Sequence, residues 1–258
     1  MSRIGLIDYG MGNLHSVQRA FERLGAEIIP IQNAAAMEGC AALVLPGVGA
    51  FDPAMERLHQ GQLVEAIQGS CEAGRPLLGI CLGLQLLFEG SDEGQSPGLG
   101  LLAGQVKALP RVPQHPIPHM GWAPLLPGMA SPLLGSDDRD AWVYFVHSYA
   151  AAPVRAESVT AWVDWAGTPV TAAIWQDNIA ACQFHPEKSG PVGVAMLQRW
   201  LDWVAQRCAC VSAAGVACRA PPASWPGPPP PGCARRCSIC WHRSWPAVAG
   251  WTFAAAVA

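Results

Sequence analysis

Residues 74–90, GRPLLGICLGLQLLFEG, carry an apolar run of strand character into a cysteine and straight on into a run of helical character. No loop separates the two halves, and Gly79 and Gly83 stand two positions either side of Cys81. A chain that turns from strand to helix within one residue strains that residue and drives the side chains two positions away into collision, which glycine relieves. The pattern is that of a nucleophile elbow, better known with serine as G-x-S-x-G. An elbow needs a buried strand beneath it, so this stretch calls for an open α/β sheet. The sulfur then stands at the carboxyl edge of the strands, where ligands bind in such folds. It also lies at a helix N-terminus, whose positive end favours a thiolate.

The surrounding pattern agrees. Residues 3–8 read as a buried strand, and Leu14, Val17, Phe21 and Leu24 recur at helical spacing until Gly25 stops them. Short strands are expected at 26–31 and 41–45, the second closed by Pro46, Gly47, Val48 and Gly49. Helical pattern covers 53–73, strand 76–80 and helix 82–89; this alternation predicts βαβ units on a parallel sheet. Beyond residue 100 strands are expected at 102–109, 141–147, 157–164, 170–175 and 179–184, before an amphipathic helix at 192–205.

Composition changes after residue 206. Residues 1–206 hold 11 basic and all 19 acidic residues, a formal charge of −8, which argues against nucleic acid as a partner. No apolar run is long enough to cross a bilayer and no secretory leader is visible, so the body is expected to be cytoplasmic. Its four cysteines (40, 71, 81, 182) form no disulfide framework. Residues 207–258 are rich in proline, cysteine and tryptophan and read as a disordered extension. The spacing of Cys233, Cys237, Cys240 and His242 fits no established zinc site.

A cysteine nucleophile needs a base, and the base needs an orienting group. The stretch AACQFHPEKSG, 180–190, places His185 and Glu187 two apart across Pro186. Residues i and i+2 of an extended segment share a face, and proline restricts both itself and the residue before it. Imidazole and carboxylate are therefore neighbours. The other histidines weighed (15, 59, 115, 119, 147) have no carboxylate at a comparable fixed offset. An oxyanion hole needs backbone donors: the N–H of Leu82 follows the nucleophile, and Gly47, Val48 and Gly49 form a glycine-rich turn at the same sheet edge. The flanking glycines make the Val48 peptide easy to rotate.

PGVGAF, GICLGLQLL and HPEKSG, in this order, resemble the class I (triad) glutamine amidotransferases. The stretches IDYGMGNLHSV, PHMGWAPL and YFVHSYAA narrow the resemblance to the branch serving histidine biosynthesis, over residues 3–206. It implies a flavodoxin-like, mostly parallel sheet, and a chain that hydrolyses glutamine to glutamate and ammonia without cofactor or metal. The ammonia passes to a (β/α)8-barrel cyclase subunit, the partner in a heterodimer, which makes imidazole glycerol phosphate and an aminoimidazole carboxamide ribotide. By the same resemblance Cys81 is the nucleophile, His185 the base and acid, and Glu187 the orienter. Gly47, Val48, Gly49 and Leu82 serve the oxyanion, Gln85, Ser148 and Tyr149 hold the amino-acid end of glutamine, and Asn13, Trp122 and Lys188 meet the cyclase. HMGWA departs from the family pattern in carrying Ala123 for asparagine. A different triad amidotransferase, a related cysteine hydrolase and a non-catalytic binding subunit stay open as alternatives.

Overall fold

Strand β1 (Arg3–Ile7) is buried from its second residue onward, because both faces of the sheet it enters are covered. The structure, a computed structural model, describes residues 3–214. Helix α1 (Leu14–Arg23) leads to β2 (Glu27–Ile31) and β3 (Ala42–Gly47). Two helices, α2 (Phe51–Gln60) and α3 (Val64–Glu72), precede β4 (Leu77–Cys81) and the short α4 (Leu82–Leu86). Then come β5 (Gly104–Ala108), β6 (His119–Pro124), β7 (Leu126–Pro127), β8 (Trp142–His147), β9 (Tyr149–Pro153), β10 (Val159–Trp165), β11 (Thr168–Gln176) and β12 (Ile179–Cys182). Helix α5 spans Gly190–Ala214.

The main sheet has eight strands in the order β2-β1-β3-β4-β12-β11-β10-β7. The first five run parallel, and β11, β10 and β7 continue antiparallel. Side chains alternate between two cores. Ala42, Val44, Leu78 and Ile80 pack with Phe21 of α1 and Trp200 of α5. Leu43, Leu45 and Leu77 pack on the other face with Phe51, Met55 and Ile67 of α2 and α3. This is the mostly parallel α/β sheet with flanking helices that the alternation predicts.

The differences are local. The 53–73 helical pattern is two helices, divided where Gln62 takes a positive φ of 54° after Gly61. Strands β6 and β9 were not expected: HMGWAP contains glycine and proline, and YAAAP is alanine-rich, so neither has a strand-forming composition. Both gain their pairing from partners distant in sequence, β6 with β8 and β9 with β5, as two separate ribbons. Helix α5 is longer than the 192–205 pattern because neither glycine nor proline occurs from residue 194 until Gly215. The start of the extension read as disordered, residues 207–214, continues α5, and residues 215–258, with Cys233, Cys237, Cys240 and His242, lie outside the described residues.

Candidate active site

At the carboxyl end of β4, Cys81 has φ 55° and ψ −110°, a conformation that L-residues avoid unless the surroundings impose it. The glycines have atomic reasons. A Cβ on Gly83 would lie 1.8 Å from the Leu45 carbonyl oxygen, and one on Gly79 would lie 3.0 Å from Gly83 O and Leu84 N. The thiol is buried, with Sγ 3.8 Å from the carbonyl oxygen of Val146, to which it donates, and 3.8 Å from Nε2 of Gln183, from which it accepts.

Strand β12 lies parallel beside β4, with Cys182 opposite Ile80. The chain leaving β12 therefore emerges level with Cys81, and three residues later supplies His185. Its Nδ1 is 2.7 Å from Glu187 Oε1, and the two side chains are 2% and 1% exposed. His185 is braced through its backbone: its N–H donates to Tyr144 O at 2.9 Å, and its carbonyl accepts from Lys188 N–H at 3.0 Å and Ser189 Oγ at 2.6 Å. Burial alone would lower the His185 pKa, but Cys81 and Glu187 beside the ring overcome it and raise the pKa to about 9. With Nδ1 taken by Glu187, the ring meets Cys81 through Nε2, which has no aligned hydrogen bond. Catalytic hydrogen bonds often tighten only once substrate is bound.

The competing histidines do not share this environment. His147 is pushed down to about 4, chiefly by burial. Its Nδ1 lies 2.9 Å from Tyr149 O, which can only accept, so its Nε2 is the acceptor for Nδ1 of His119 at 3.2 Å. Burial also lowers the pKa of His119. This pair is neutral and occupied with itself.

Gly47 pairs with Cys81 across β3 and β4, so the Gly47–Val48–Gly49 turn begins level with that cysteine. Gly49 has φ +107°, and Val48 is 39% exposed. Leu82 is the first residue of α4, and its backbone N–H directly follows the sulfur-bearing residue. Gln85, one turn on, donates from Nε2 to Tyr149 O at 2.9 Å and to Gln183 Oε1 at 3.1 Å. Both its donors are used, so its oxygen is the group that can meet a cation. Ser148 links β8 to β9, and its carbonyl accepts from Leu109 N–H.

Trp122, half exposed on β6, packs edge-on to Tyr144 with centroids 6.1 Å apart, and Lys188 Nζ lies 5.8 Å from the centre of the Tyr144 ring. Tyr144 in turn lies 6.5 Å from the His185 ring. Asn13 has a separate task, capping α1 by accepting from Ser16 N–H at 3.3 Å. Two residues escaped the sequence reading. Gln183 sits inside the HPE-bearing stretch, two before His185, and its fully buried amide bridges Gln85 to Cys81. Tyr144 had no local signal, since its role comes from the β6–β8 ribbon.

The ion pair has a pH signature. The folded pKa of His185 is raised, so its stabilising contribution is fully present below the unfolded value of about 6.5 and is lost as pH rises through about 9. Glu187→Gln removes a cause of that shift. The melting temperature of the variant should fall less steeply than that of the wild type between those pH values. Parallel slopes across this window would contradict the assignment.

A family model described as glutamine amidotransferase class-I matches residues 5–202. The imidazole glycerol phosphate synthase subunit HisH 2 of Parasynechococcus marenigrum (strain WH8102) is 57% identical over 201 residues, covering 78% of this chain and 95% of that relative. The corresponding HisH subunit of Synechococcus sp. (strain CC9902) is 54% identical, over 79% of this chain and 95% of the relative. Among solved structures, PurLQS from Thermotoga maritima superposes with a TM-score of 0.62 at 17% identity, covering 79% of this chain and 99% of that chain. A further structure, described as a glutamine amidotransferase, gives a TM-score of 0.58 at 21% identity, over 83% and 99%. These two likenesses concern the fold alone. On the family match and the relatives together, the chain belongs to the class I glutamine amidotransferases, in the branch of the HisH subunits.

Proposed function

We propose that this chain is the glutaminase subunit of an imidazole glycerol phosphate synthase, supplying ammonia to a barrel-type cyclase subunit, HisF, in the cytoplasm. The observation that carries the reading is the parallel register of β12 on β4, which brings a buried His185–Glu187 pair to the strained Cys81. Cys81 Sγ attacks the side-chain amide carbon of glutamine as a thiolate, its proton already held by His185. The N–H groups of Leu82 and Val48 hold the oxyanion. His185 then returns the proton to the departing ammonia, leaving a γ-glutamyl thioester on Cys81. Water, deprotonated by the same imidazole, releases glutamate and restores the thiolate. Glu187 keeps the imidazole oriented and stabilises its protonated form throughout.

Gln85 accepts from the ammonium end of glutamine, with Ser148 and Tyr149 beside it. The Trp122–Tyr144–Lys188 cluster and the Asn13 end of α1 form the face toward the cyclase. Among the described residues no helix is long and apolar enough to cross a membrane. The direct test is a glutamine-analogue alkylator followed by peptide mass spectrometry. One equivalent on Cys81, blocked by excess glutamine, is expected; labelling elsewhere, or none, would remove the nucleophile assignment and with it the function.

A further inference from the structure

The ladder between β1 and β3 runs from Ile4 opposite Ala42 to Leu6 opposite Val44 and then stops. Leu43 donates its N–H to Pro76 O on the β4 side. Backbone groups alternate along a strand, so Val44 and Pro46 turn theirs toward β1. At Pro46 there is no β1 left to pair with, since the chain turns away after Ile7 and passes through Gly10 at φ +78°. Proline has no N–H, but its carbonyl still needs a donor. Tyr9 supplies it: the buried phenol donates from Oη to Pro46 O at 2.9 Å. The same hydroxyl lies against Gly47. A Cβ there would be 2.4 Å from Tyr9 Oη, 2.9 Å from Leu82 Cβ and 3.2 Å from Gly83 N.

We propose that Tyr9 is a positioning residue for the oxyanion hole, its hydroxyl continuing the β1 ladder onto Pro46 and pinning Gly47 against the elbow. The tether confines rotation to the Gly47–Val48 peptide and sets the spacing between the N–H groups of Val48 and Leu82; this rests on reading those two groups as the oxyanion donors. The phenol suits the task, because burial and the neighbouring Cys81 both push its ionisation upward and keep it a donor. Phenylalanine would fill the same space and leave the Pro46 carbonyl without its partner.

The experiment is Tyr9→Phe in the full chain, assayed in complex with the cyclase subunit. The kcat for glutamine should fall about tenfold, less than the loss of a whole oxyanion donor, with KM within about twofold. Alkylation of Cys81 by iodoacetamide, which uses no oxyanion donor, should stay within about twofold of wild type, as should synthesis from ammonium. Tyr9→4-aminophenylalanine, which keeps a donor on the ring, should recover most of kcat. The inference is overturned if kcat is unchanged in Tyr9→Phe, if alkylation falls in step with kcat, or if the amino variant is as impaired as Tyr9→Phe. A wild-type complex without glutaminase activity would overturn the reading of the site itself, and this inference with it.

Discussion

Replacing Cys81 with alanine is expected to reduce glutamine-dependent synthesis by the complex at least about a thousandfold, ~4 kcal/mol of transition-state stabilisation, while synthesis from free ammonium continues. The size of the loss follows from the lack of a substitute. Among the residues whose side chains the structure describes, the other cysteines are Cys40, Cys71 and Cys182. Burial raises the pKa of all three: Cys71 to about 12, Cys182 well above its usual value, and Cys40 in the same direction. None stands at an elbow or beside an imidazole, so none can become the thiolate that glutamine requires. The ammonium arm makes the result specific, because in the proposed function the cyclase takes ammonia and does not need this thiol. Survival of glutamine-dependent turnover in Cys81→Ala would refute the nucleophile. Loss of both arms would instead report a damaged complex.

Features encoded over short distances were legible in the sequence. The elbow could be read because part of its cause is local, and the structure shows that part at Gly79, where a Cβ would meet Gly83 O and Leu84 N; the tighter contact at Gly83 is with Leu45 O of β3, which the local pattern does not contain. The His185–Glu187 pair could be read from its spacing but not by the extended geometry expected: His185 is extended, Pro186–Lys188 close into a 3-10 turn, and that turn brings the carboxylate to the ring at 2.7 Å. What sequence could not supply was the pairing of β12 with β4, which joins residues a hundred apart and turns two local motifs into one site. Gln183 was missed for that reason: its amide has a task only when Gln85 and Cys81 arrive from another strand and helix. Strands β6 and β9 were missed because their pairing, not their composition, makes them strands.

The isolated chain is expected to be a poor glutaminase that its partner switches on. Glycines at 47 and 49 leave the Gly47–Val48 peptide free to turn, and Gly49 already sits at a φ of +107° that other residues avoid. An oxyanion donor that can rotate need not be in its competent orientation most of the time. If that orientation holds about 1% of molecules, it lies ~2.7 kcal/mol uphill, and a partner that prefers it can recover up to about a hundredfold in rate. From the proposed cyclase face the route to the site is short. Lys188 is exposed over the Tyr144 ring, Tyr144 accepts the backbone N–H of His185, and Lys188 follows directly after Glu187. An acid on the cyclase that pairs with Lys188 would press on the same segment that holds the base. Steady-state glutaminase activity should therefore rise by one to two orders of magnitude when the cyclase and its ligand are added, and Lys188→Ala should lose most of that rise while its unpartnered rate stays within about twofold. Full activity in the isolated chain would refute the rotating-donor account. Undiminished activation and affinity in Lys188→Ala would leave that account standing and place the relay elsewhere, because a peptide that turns at Gly47 can be biased from any surface packed against it.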